Sequence, residues 1–323
     1  MSIKVVKPGL ATSVQDLGRS GYYHLGIPIS GGMDRYSLRA ANLLVGNDEG
    51  AAVLETVFMG PELEFDKDTT VAVTGAELPP KVDGESRETW SEFEIKAGQR
   101  LTFDFLKSGA RAYIAISGGI DVPLALGSRA TYTLGALGGF EGRNLLSGDL
   151  LPIGKSSNSS RGKCTIPAAL RQSVGSEVEL RVVPGLYWHR FTAESQKQFF
   201  EDVWKVAPEA DRIGYRFQKG RPLNFMDREQ PFGAGSDPSN IVDSCYPYGS
   251  IQIPGGTEPI VLHRDAVSGG GYCMLGTVIS ADMDLIGQLQ PNWPARFVKV
   301  DLDQALKARE ERNKRLGQLR DAI

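Results

Sequence analysis

The sequence predicts a mainly β protein of two domains with a few short helices. Its 323 residues exceed the size at which one hydrophobic core usually stops growing, so two domains are the starting expectation. The 38 glycines and 18 prolines are spread along the chain, where they separate many short elements. Apolar residues on alternate positions between these breaks indicate strands, because successive strand side chains point to opposite faces.

Two hairpins carry the clearest strand signal. The first turns at 97–99, and its alternating apolar residues are Phe93, Ile95, Leu101, Phe103 and Phe105. The second pairs 250–253 with 260–263 across a turn rich in Pro and Gly, which can reverse the chain but not extend a sheet. Further strands are predicted at 62–65, 70–74, 113–117, 177–183 and 295–300.

Three segments have helical spacing. The first, 34–45, places Asp34 as an N-cap before apolar residues three and four apart. The second is 193–204. The third, 301–323, interleaves acids and bases and is predicted to be a solvated surface helix.

The middle of the chain predicts a domain boundary. Residues 155–176 concentrate Ser, Asn, Gly, Arg and Lys, a composition typical of a linker. The predicted organisation is therefore an N-terminal domain at 1–154, a linker at 155–176, a C-terminal domain at 177–300 and a surface helix at 301–323.

Composition and charge narrow the class of protein. The net charge of −3 offers no basic footprint for nucleic acid or an anionic membrane. No stretch approaches the roughly 20 apolar residues that span a bilayer, and the N-terminus has no signal-peptide pattern. Three widely separated cysteines, in no paired motif, fit a reducing compartment. We expect a cytoplasmic protein.

Several common catalytic motifs are absent from the sequence. Gly154-Lys155-Ser156 has only the ending of a phosphate loop, because Asp149 stands where the first glycine belongs. No Gly-x-Ser-x-Gly elbow and no Gly-x-Gly-x-x-Gly fingerprint occurs. The three histidines are too scattered to predict a metal site. The sequence alone therefore predicts no self-sufficient catalytic set and no metal.

Polar residues embedded among glycines form three clusters, where backbone and charge can approach a ligand closely. The clusters are Gln15–Arg19 with Pro28–Asp34, Asp211–Arg216, and His263–Tyr272. For each cluster, a turn closed by Asp and Arg hydrogen bonds is as good an interpretation as a site.

The motifs in these clusters resemble those of one family. They are Pro8-Gly9, Val14-Gln15-Asp16-Leu17-Gly18-Arg19, Gly26-Ile27-Pro28, Ala41-Asn42-Leu43-Leu44-Val45-Gly46-Asn47, Thr74-Gly75-Ala76, Ser117-Gly118-Gly119-Ile120, Asp211-Arg212-Ile213-Gly214-Tyr215-Arg216, Gly249-Ser250-Ile251-Gln252-Ile253-Pro254 and Val278-Ile279-Ser280-Ala281-Asp282. Together they cover nearly the whole chain. The sequence resembles the allophanate hydrolase subunit 2 family, also called KipA or the C subunit of bacterial ATP-dependent 5-oxoprolinase.

The resemblance implies a fold, a partner and a reaction. The implied fold is two cyclophilin-like β-barrel domains. The implied complex contains a KipI-like B subunit and a lactam-opening A subunit, and it uses ATP, with or without Mg²⁺, to activate 5-oxoproline or a related lactam or amide. No biotin attachment segment is present, so any biotin involved would be carried by another chain.

Two other functions are compatible with the same resemblance. One is the carboxyltransferase half of a biotin-dependent urea-type carboxylase. The other is a non-catalytic regulator of the KipA type, which sequesters a KipI-like kinase inhibitor. Both active complexes would handle an amide-like substrate and an oxyanion, which arginines and backbone N–H groups can stabilise.

The candidate site residues come from residue chemistry and the resemblance together. The predicted catalytic residues are Asp265, Tyr272 and Arg212. The predicted substrate-binding residues are Arg216, Arg19, Ser30, Asp34, Ser268 and Gly270. A buried Asp265–arginine pair that only stabilises the fold is an equally good interpretation.

One segment departs from the family pattern. The family reads Asp-Arg-Gln-Thr-Thr-Gly-Gly-Tyr where this chain has Ala266 and Val267 in place of polar residues. The sequence does not decide whether this departure changes the substrate.

Overall fold

The computed structural model describes residues 1–156, 164–172, 175 and 177–323. They form two compact units. The first comprises Met1–Arg19, Ser30–Ser173 and Lys314–Ile323, and the second comprises Ser20–Ile29 and Val174–Asn313. The sequence boundaries kept 1–154 and 301–323 undivided, whereas the contacts assign Ser20–Ile29 to the second unit and Lys314–Ile323 to the first.

The first unit is built from antiparallel strands in two sheets. Its elements are β1 (Ser2–Lys7), β2 (Ala11–Gln15), α1 (Arg35–Leu44), β3 (Val53–Val57), β4 (Glu62–Phe65), β5 (Thr69–Glu77), β6 (Pro80–Val82), β7 (Glu85–Ser86), β8 (Glu92–Ile95), β9 (Arg100–Phe103), β10 (Ser108–Ile116) and β11 (Leu150–Pro152). One sheet has the order β11-β1-β4-β9-β6-β7, and the other has the order β2-β3-β10-β5-β8.

Alternation along β5 and β10 explains how the first unit packs. Val71 and Val73 face a core that also contains Ile3 and Leu101 of the other sheet. The intervening Ala72 faces away, into a second cluster with helix α1. Because strand side chains alternate, one sheet is buried on both faces, by its partner sheet and by the helix.

The hairpin predicted around 97–99 is wrong, although both strands exist. Strand β8 pairs with β5 in one sheet, and β9 pairs with β4 and β6 in the other. Phe93, Ile95 and Leu101 all lie in the core between the sheets. A chain that crosses between facing sheets therefore shows the same alternation as a hairpin, while Phe105 lies at the surface.

The second unit contains a closed barrel. Its elements are β12 (Val178–Pro184), α2 (Ala193–Glu201), β13 (Trp204–Val206), β14 (Gly214–Gln218), β15 (Asn240–Cys245), β16 (Ser250–Gln252), β17 (Ile260–Leu262), β18 (Gly269–Tyr272), β19 (Met274–Val278), α3 (Met283–Ile286) and β20 (Pro294–Lys299). The barrel order is β12-β19-β16-β17-β14-β13-β20, and β15 pairs separately with β18. The mainly β fold class is confirmed.

The other predicted strands and the second hairpin lie close to the expected positions. Strands β16 and β17 pair antiparallel across the turn that the sequence indicated. Helix α1 begins after Asp34, whose carboxylate accepts a hydrogen bond from the Ser37 N–H at 2.9 Å. Helix α2 ends three residues earlier than predicted, because Trp204 is fully buried in strand β13 and donates its indole N–H to the Phe199 carbonyl at 3.1 Å.

The C-terminal segment is helical, as predicted, but it is not solvated on every side. Helix α4 runs from Leu302 to Asp321. Leu316 and Leu319 lie three residues apart on one face and are buried in the first unit beside residues of α1. The charged pattern concealed this short apolar stripe.

The predicted linker is only partly described. Residues 157–163, 173–174 and 176 of it lie outside the described residues. Within the described part, Ile166 is fully buried, and its N–H donates to the Trp90 carbonyl at 2.9 Å. This stretch therefore packs against the first unit.

Candidate functional site

The second and third sequence clusters meet in the second unit. Asp211 begins the turn into β14, and its Oδ1 accepts from the N–H groups of Ile213 and Gly214 at 2.8 and 3.0 Å. This Asx-type turn fixes the backbone of Arg212, which follows Asp211. Arg212 then donates through Nε to Asp265 Oδ2 at 2.8 Å and through Nη2 to Asp265 Oδ1 at 3.3 Å.

The surroundings of Asp265 indicate a structural role. The residue is 4% exposed, and both of its carboxylate oxygens accept from Arg212. Its backbone N–H also donates to the Arg212 carbonyl at 2.9 Å, so the two loops are joined twice. An Asp265 contact to a substrate N–H would have to displace part of this bidentate pair.

Tyr272, Gly270 and Ser268 are organised by a residue that the sequence did not single out. Tyr246 is 1% exposed, and its N–H donates to the Ser268 carbonyl at 2.9 Å. Its hydroxyl lies 2.7 Å from the carbonyls of both Gly270 and Tyr272, and it accepts from the Tyr272 N–H at 2.8 Å. Burial raises the pKa of Tyr246, which keeps the phenol protonated and able to donate.

The glycine at 270 gives the Tyr246 ring room to pack closely. A Cβ atom there would lie 3.1 Å from the ring, tighter than an ordinary van der Waals contact. A larger residue at 270 would therefore require the Tyr246 ring to shift by a few tenths of an ångström. Tyr272, at the end of the strand, remains 42% exposed and is available to a ligand.

Another tyrosine, from the N-terminal part of the chain, extends this arrangement. The Tyr23 hydroxyl lies 3.0 Å from the Tyr246 carbonyl and 3.2 Å from the Val267 carbonyl, either of which can accept its proton. These contacts attach Ser20–Ile29 to the second unit. Burial raises the pKa of Tyr23. The sequence carried no signal for this contact, because the residues are more than 200 positions apart.

Arg216 lies at the surface of the same unit. Its side chain is 44% exposed, and Nη1 lies 3.7 Å from Glu258 Oε2, whose side chain is 51% exposed. Such a pair is loosely held in water and screened by salt. Arg216 is therefore a cation that a dissolved anion can reach.

Arg264, the arginine of the third cluster, is part of a separate ion-pair group. The Arg264 guanidinium lies 4.3 Å from the centroid of the Tyr248 ring and 4.0 Å from Asp284 Oδ1. Asp284 Oδ2 also accepts from Arg312 Nε at 3.0 Å. Two arginines thus share one buried carboxylate, whose removal would leave both of them without this counter-charge.

Asp16 and Arg19 of the first cluster bond to residues 128–130 in the first unit. Asp16 Oδ1 accepts from the Gly18 N–H and the Ser128 hydroxyl at 2.7 Å each, and Oδ2 accepts from the Arg129 N–H at 2.6 Å. Arg19 is 2% exposed, and its Nη2 donates to the Ala130 carbonyl. Arg19 is thus buried in the first unit, and its contact with substrate stays a prediction.

Ser30 and Asp34 flank a tight turn before α1. Ser30 has a φ of 53° and Gly31 a φ of 86°, and a Cβ on Gly31 would lie 2.6 Å from the Gly18 nitrogen. The Ser30 hydroxyl oxygen is buried and has no hydrogen-bond partner within the described part of the chain. Asp34 is fully buried and caps the helix, so its carboxylate serves α1.

A buried polar network supports this turn. Glu55 Oε2 accepts from the Met33 N–H and from the Tyr113 hydroxyl, each at 2.8 Å. The Tyr113 oxygen in turn accepts from the Asp34 N–H at 2.7 Å. Burial, together with the charges of Glu55 and Asp34, raises the pKa of Tyr113 well above its usual value. The Tyr113 hydroxyl therefore stays protonated, and its hydrogen bonds fix the turn.

The candidate residues thus fall into two groups. Arg212 with Asp265, and Ser268, Gly270 and Tyr272 around Tyr246, lie in the second unit with the surface residue Arg216. Arg19, Ser30 and Asp34 lie in the first unit. The catalytic and binding roles of both groups remain predictions.

The described residues offer neither a metal cluster nor a membrane span. Over 1–156, 164–172, 175 and 177–323, no group of three or more His, Cys, Asp and Glu side chains is placed to hold a metal ion. Within the same ranges, no helix has the length and apolar character needed to cross a bilayer.

Comparison with known proteins gives similar chains of two kinds. The chain is 37% identical over 317 residues to the C subunit of 5-oxoprolinase of Escherichia coli (strain K12), covering 98% of this chain and 97% of that protein. It is 35% identical to urea amidolyase of Saccharomyces cerevisiae over 97% of this chain but only 17% of that protein. The structure of urea amidolyase from K. lactis superposes with a TM-score of 0.91 at 34% identity, over 98% of this chain and 20% of that one.

The match to a family rests on the greater part of the chain. Residues 25–299 match the family described as carboxyltransferase domain, subdomain A and B. That range includes most of both units and both later clusters. The protein therefore belongs to the carboxyltransferase domain, subdomain A and B, family.

Proposed function

We propose that this chain is one subunit of an ATP-dependent complex of the 5-oxoprolinase type, which activates and opens 5-oxoproline or a related lactam or amide. The observation that carries the proposal is the likeness to the Escherichia coli C subunit from end to end of both chains. The match extends over 98% of this chain and 97% of the Escherichia coli subunit.

The partners in the proposal are a KipI-like B subunit and a lactam-opening A subunit. ATP is consumed by the complex, and this chain alone is inactive. The turn at Gly154, which has the ending of a phosphate loop, is closed against the backbone, because a Cβ on Gly154 would lie 2.4 Å from the Gly118 carbonyl oxygen. The proposal therefore assigns ATP to the complex and not to this turn.

Within the chain, we assign substrate contact to the exposed residues of the second unit. Activation of an amide places negative charge on its oxygen, which a cation or an O–H donor can stabilise. Arg216 and Tyr272 are accessible for this role, with side-chain exposure of 44% and residue exposure of 42%. The Arg212–Asp265 pair and Tyr246 position the loops that carry them.

The test is reconstitution. The chain is coexpressed with its KipI-like partner and the third subunit, and ATP-dependent conversion of 5-oxoproline to glutamate is measured. We expect turnover only with all three chains, and one stable complex of this chain with the KipI-like partner in size-exclusion chromatography. Turnover by the pure single chain, or independent migration at micromolar concentration, would overturn the proposal.

The site assignment has its own test. Replacing Tyr272 by Phe removes only the exposed hydroxyl, and we expect turnover of the complex to fall by about tenfold, equivalent to roughly 1.4 kcal/mol of barrier. Tyr132→Phe, the same change in the first unit, is the matched control and should leave turnover unchanged. If the Tyr272 variant keeps full activity while the complex remains active, the site lies elsewhere but the function stands.

A second function is favoured by the superposition on urea amidolyase: the carboxyltransferase half of a biotin-dependent carboxylase. This interpretation requires a biotinylated partner, and the two proposals are separated by adding or removing that partner. Carboxylation of urea that depends on carboxybiotin would establish the second function, whereas ATP-driven opening of 5-oxoproline without biotin would establish the first.

A further inference from the structure

A buried arginine outside all three sequence clusters lies in the second unit. Arg190 ends a short 3-10 helix, Trp188–Arg190, and is 5% exposed. Its Nη2 donates to the Pro238 carbonyl at 3.2 Å. Its Nε and Nη1 are buried, and neither has a hydrogen-bond partner among the described residues. Arg190 therefore has donors that nothing in this part of the chain uses.

Arg190 also holds both ends of one surface segment. Its carbonyl accepts from the Met226 N–H at 2.7 Å, and its Nη2 reaches the Pro238 carbonyl. The residues between these two ends are mostly exposed, and Gly233 and Gly235 have φ values of 89° and 70°. Arg190 therefore joins the two ends of an exposed, glycine-containing loop.

Three consecutive peptide carbonyls accept from Arg190, from the backbone of Cys273 and from a second arginine, Arg228. Pro238 accepts from Arg190, Ser239 accepts from the Cys273 N–H at 2.8 Å, and Asn240 accepts from Arg228 Nη2 at 3.0 Å. Arg228 has one further hydrogen bond, from Nε to Gln230 Oε1 at 3.2 Å, an uncharged partner. Both guanidinium groups therefore face one short stretch of backbone.

Within the described part of the chain, no carboxylate forms an ion pair with either arginine. Among the described residues, the ion pairs within 4.0 Å include neither Arg190 nor Arg228. The acidic residue closest along this stretch, Asp237, uses its Oδ1 to accept from the Ser239 N–H at 2.8 Å. The charge at Arg190 is thus buried without an opposite charge from the described chain.

The thiol does not supply that opposite charge. Burial raises the pKa of Cys273, although the neighbouring Arg190 and Arg228 act in the opposite direction. Burial also lowers the pKa of Arg190, but a guanidinium remains protonated in proteins. A buried cation without a counter-charge is strongly unfavourable, so an anion from solution is the natural compensation.

We propose that Arg190 and Arg228 form a binding site for a small oxyanion of the carboxylate or phosphate class, where Arg190 joins the ends of the loop 227–237 of the second unit. The unused Nε and Nη1 groups of Arg190 donate to the anion, and Arg228 contributes a second cation from the exposed side. The site includes none of the residues to which substrate contact was assigned, and the inference does not rest on the proposed function.

The test is binding of inorganic phosphate to the full-length chain, measured by calorimetry and by the shift in unfolding temperature. Acetate and chloride at matched ionic strength form the other arms. We expect saturable binding of phosphate or acetate but not of chloride, and the tighter of the two oxyanions identifies the ligand class. An identical response to all three salts would overturn the proposal.

Substitutions of single arginines test whether the oxyanion binds at Arg190 and Arg228. We expect Arg190→Gln to weaken oxyanion binding by at least about tenfold and Arg228→Gln by about threefold, because the exposed cation is partly screened by water. Arg100→Gln changes an exposed arginine of the first unit and should leave binding unchanged. Undiminished binding by a folded Arg190→Gln protein would place the anion elsewhere and refute the site.

A measurement without any change at Arg190 covers the case in which that variant fails to fold. The bound anion offsets the two cations beside Cys273 and so raises the pKa of its thiol further, which lowers the thiolate fraction. We expect alkylation of Cys273, followed by peptide mapping, to be slower in phosphate or acetate than in chloride. Exposed Cys245 is the internal control. Equal rates at Cys273 in all three salts would contradict the proposal.

Discussion

Two arginines of the second unit, Arg212 and Arg190, differ in how their charge is balanced. Arg212 has its charge matched by Asp265, which binds it through both carboxylate oxygens. Arg190 is more deeply buried, yet the described chain provides only a carbonyl oxygen for it. The cluster that looked like a site in the sequence contains the neutralised arginine, and the arginine without a counter-charge lies in a segment with no motif.

The difference shows what a buried charge can indicate. A pair such as Arg212–Asp265 satisfies itself and joins two loops, so its removal affects folding first. A cation without a partner keeps its capacity to bind, so its removal affects a ligand first. Four substitutions test this contrast.

Replacing Asp265 by Asn should have the largest effect. The change leaves Arg212 without its counter-charge, and we expect the free energy of unfolding to fall by about 3 kcal/mol, since Arg212 keeps some contact with water. Urea denaturation of the isolated chain measures it. The double variant Arg212→Met with Asp265→Leu should recover most of this loss, because neither partner is then left alone. Unchanged stability with a tenfold loss of turnover would instead establish Asp265 as a residue that contacts substrate.

Replacing Tyr246 by Phe tests how much an uncharged hydrogen-bonding group contributes to the free energy of unfolding, compared with the Arg212–Asp265 ion pair. The Tyr272 N–H loses its acceptor and the carbonyls of β18 lose their donor, so we expect a loss of about 1 to 2 kcal/mol in the free energy of unfolding. Hydrogen exchange at the Tyr272 amide should also become faster. Tyr132→Phe is the control, and equal exchange rates in wild type and Tyr246→Phe would show that β18 is held by other contacts.

Replacing Arg190 by Met should not lower the free energy of unfolding, in contrast to the two substitutions above. In a buffer without oxyanions, we expect the free energy of unfolding to stay unchanged or to rise by about 1 kcal/mol, because an apolar side chain of similar length needs no counter-charge. Arg212→Met, measured in parallel, should lower it. A loss for Arg190→Met as large as that for Arg212→Met would mean that the protein itself compensates Arg190.

Replacing Glu258 by Gln should have the smallest effect. Its pair with Arg216 is exposed and spans 3.7 Å, so we expect a change below about 0.5 kcal/mol, decreasing further in high salt. Denaturation at two salt concentrations measures it. A loss comparable to that of Asp265→Asn would show that exposure does not separate weak from strong pairs in this unit.

The sequence was informative where a local rule acts alone. Asp34 was recognised as an N-cap because its side chain bonds only three residues away. The hairpin at β16 and β17 was recognised because its turn chemistry is continuous in the chain. The pattern at 93–105 failed for the opposite reason, since alternation identifies strands but not the strands with which they pair.

The sequence identified several residues of the candidate site but not the contacts that each of them makes. Arg212 and Asp265 were both predicted as catalytic residues, yet their sequence separation of 53 positions hides that they bind each other and that both carboxylate oxygens are occupied. Tyr246 and Tyr23 were missed, because an isolated tyrosine has no motif and their hydrogen bonds depend on segments that are distant in the chain.

Residue type and local spacing were enough to predict the mainly β class, the caps and turns, and the resemblance that indicated the family. The tertiary structure alone decided which strands share a sheet, that Leu316 and Leu319 bury a face of the last helix, and that Arg190 has no counter-charge among the described residues. These properties depend on which groups exclude water from one another, and exclusion of water is a property of distances in space rather than of positions along the chain.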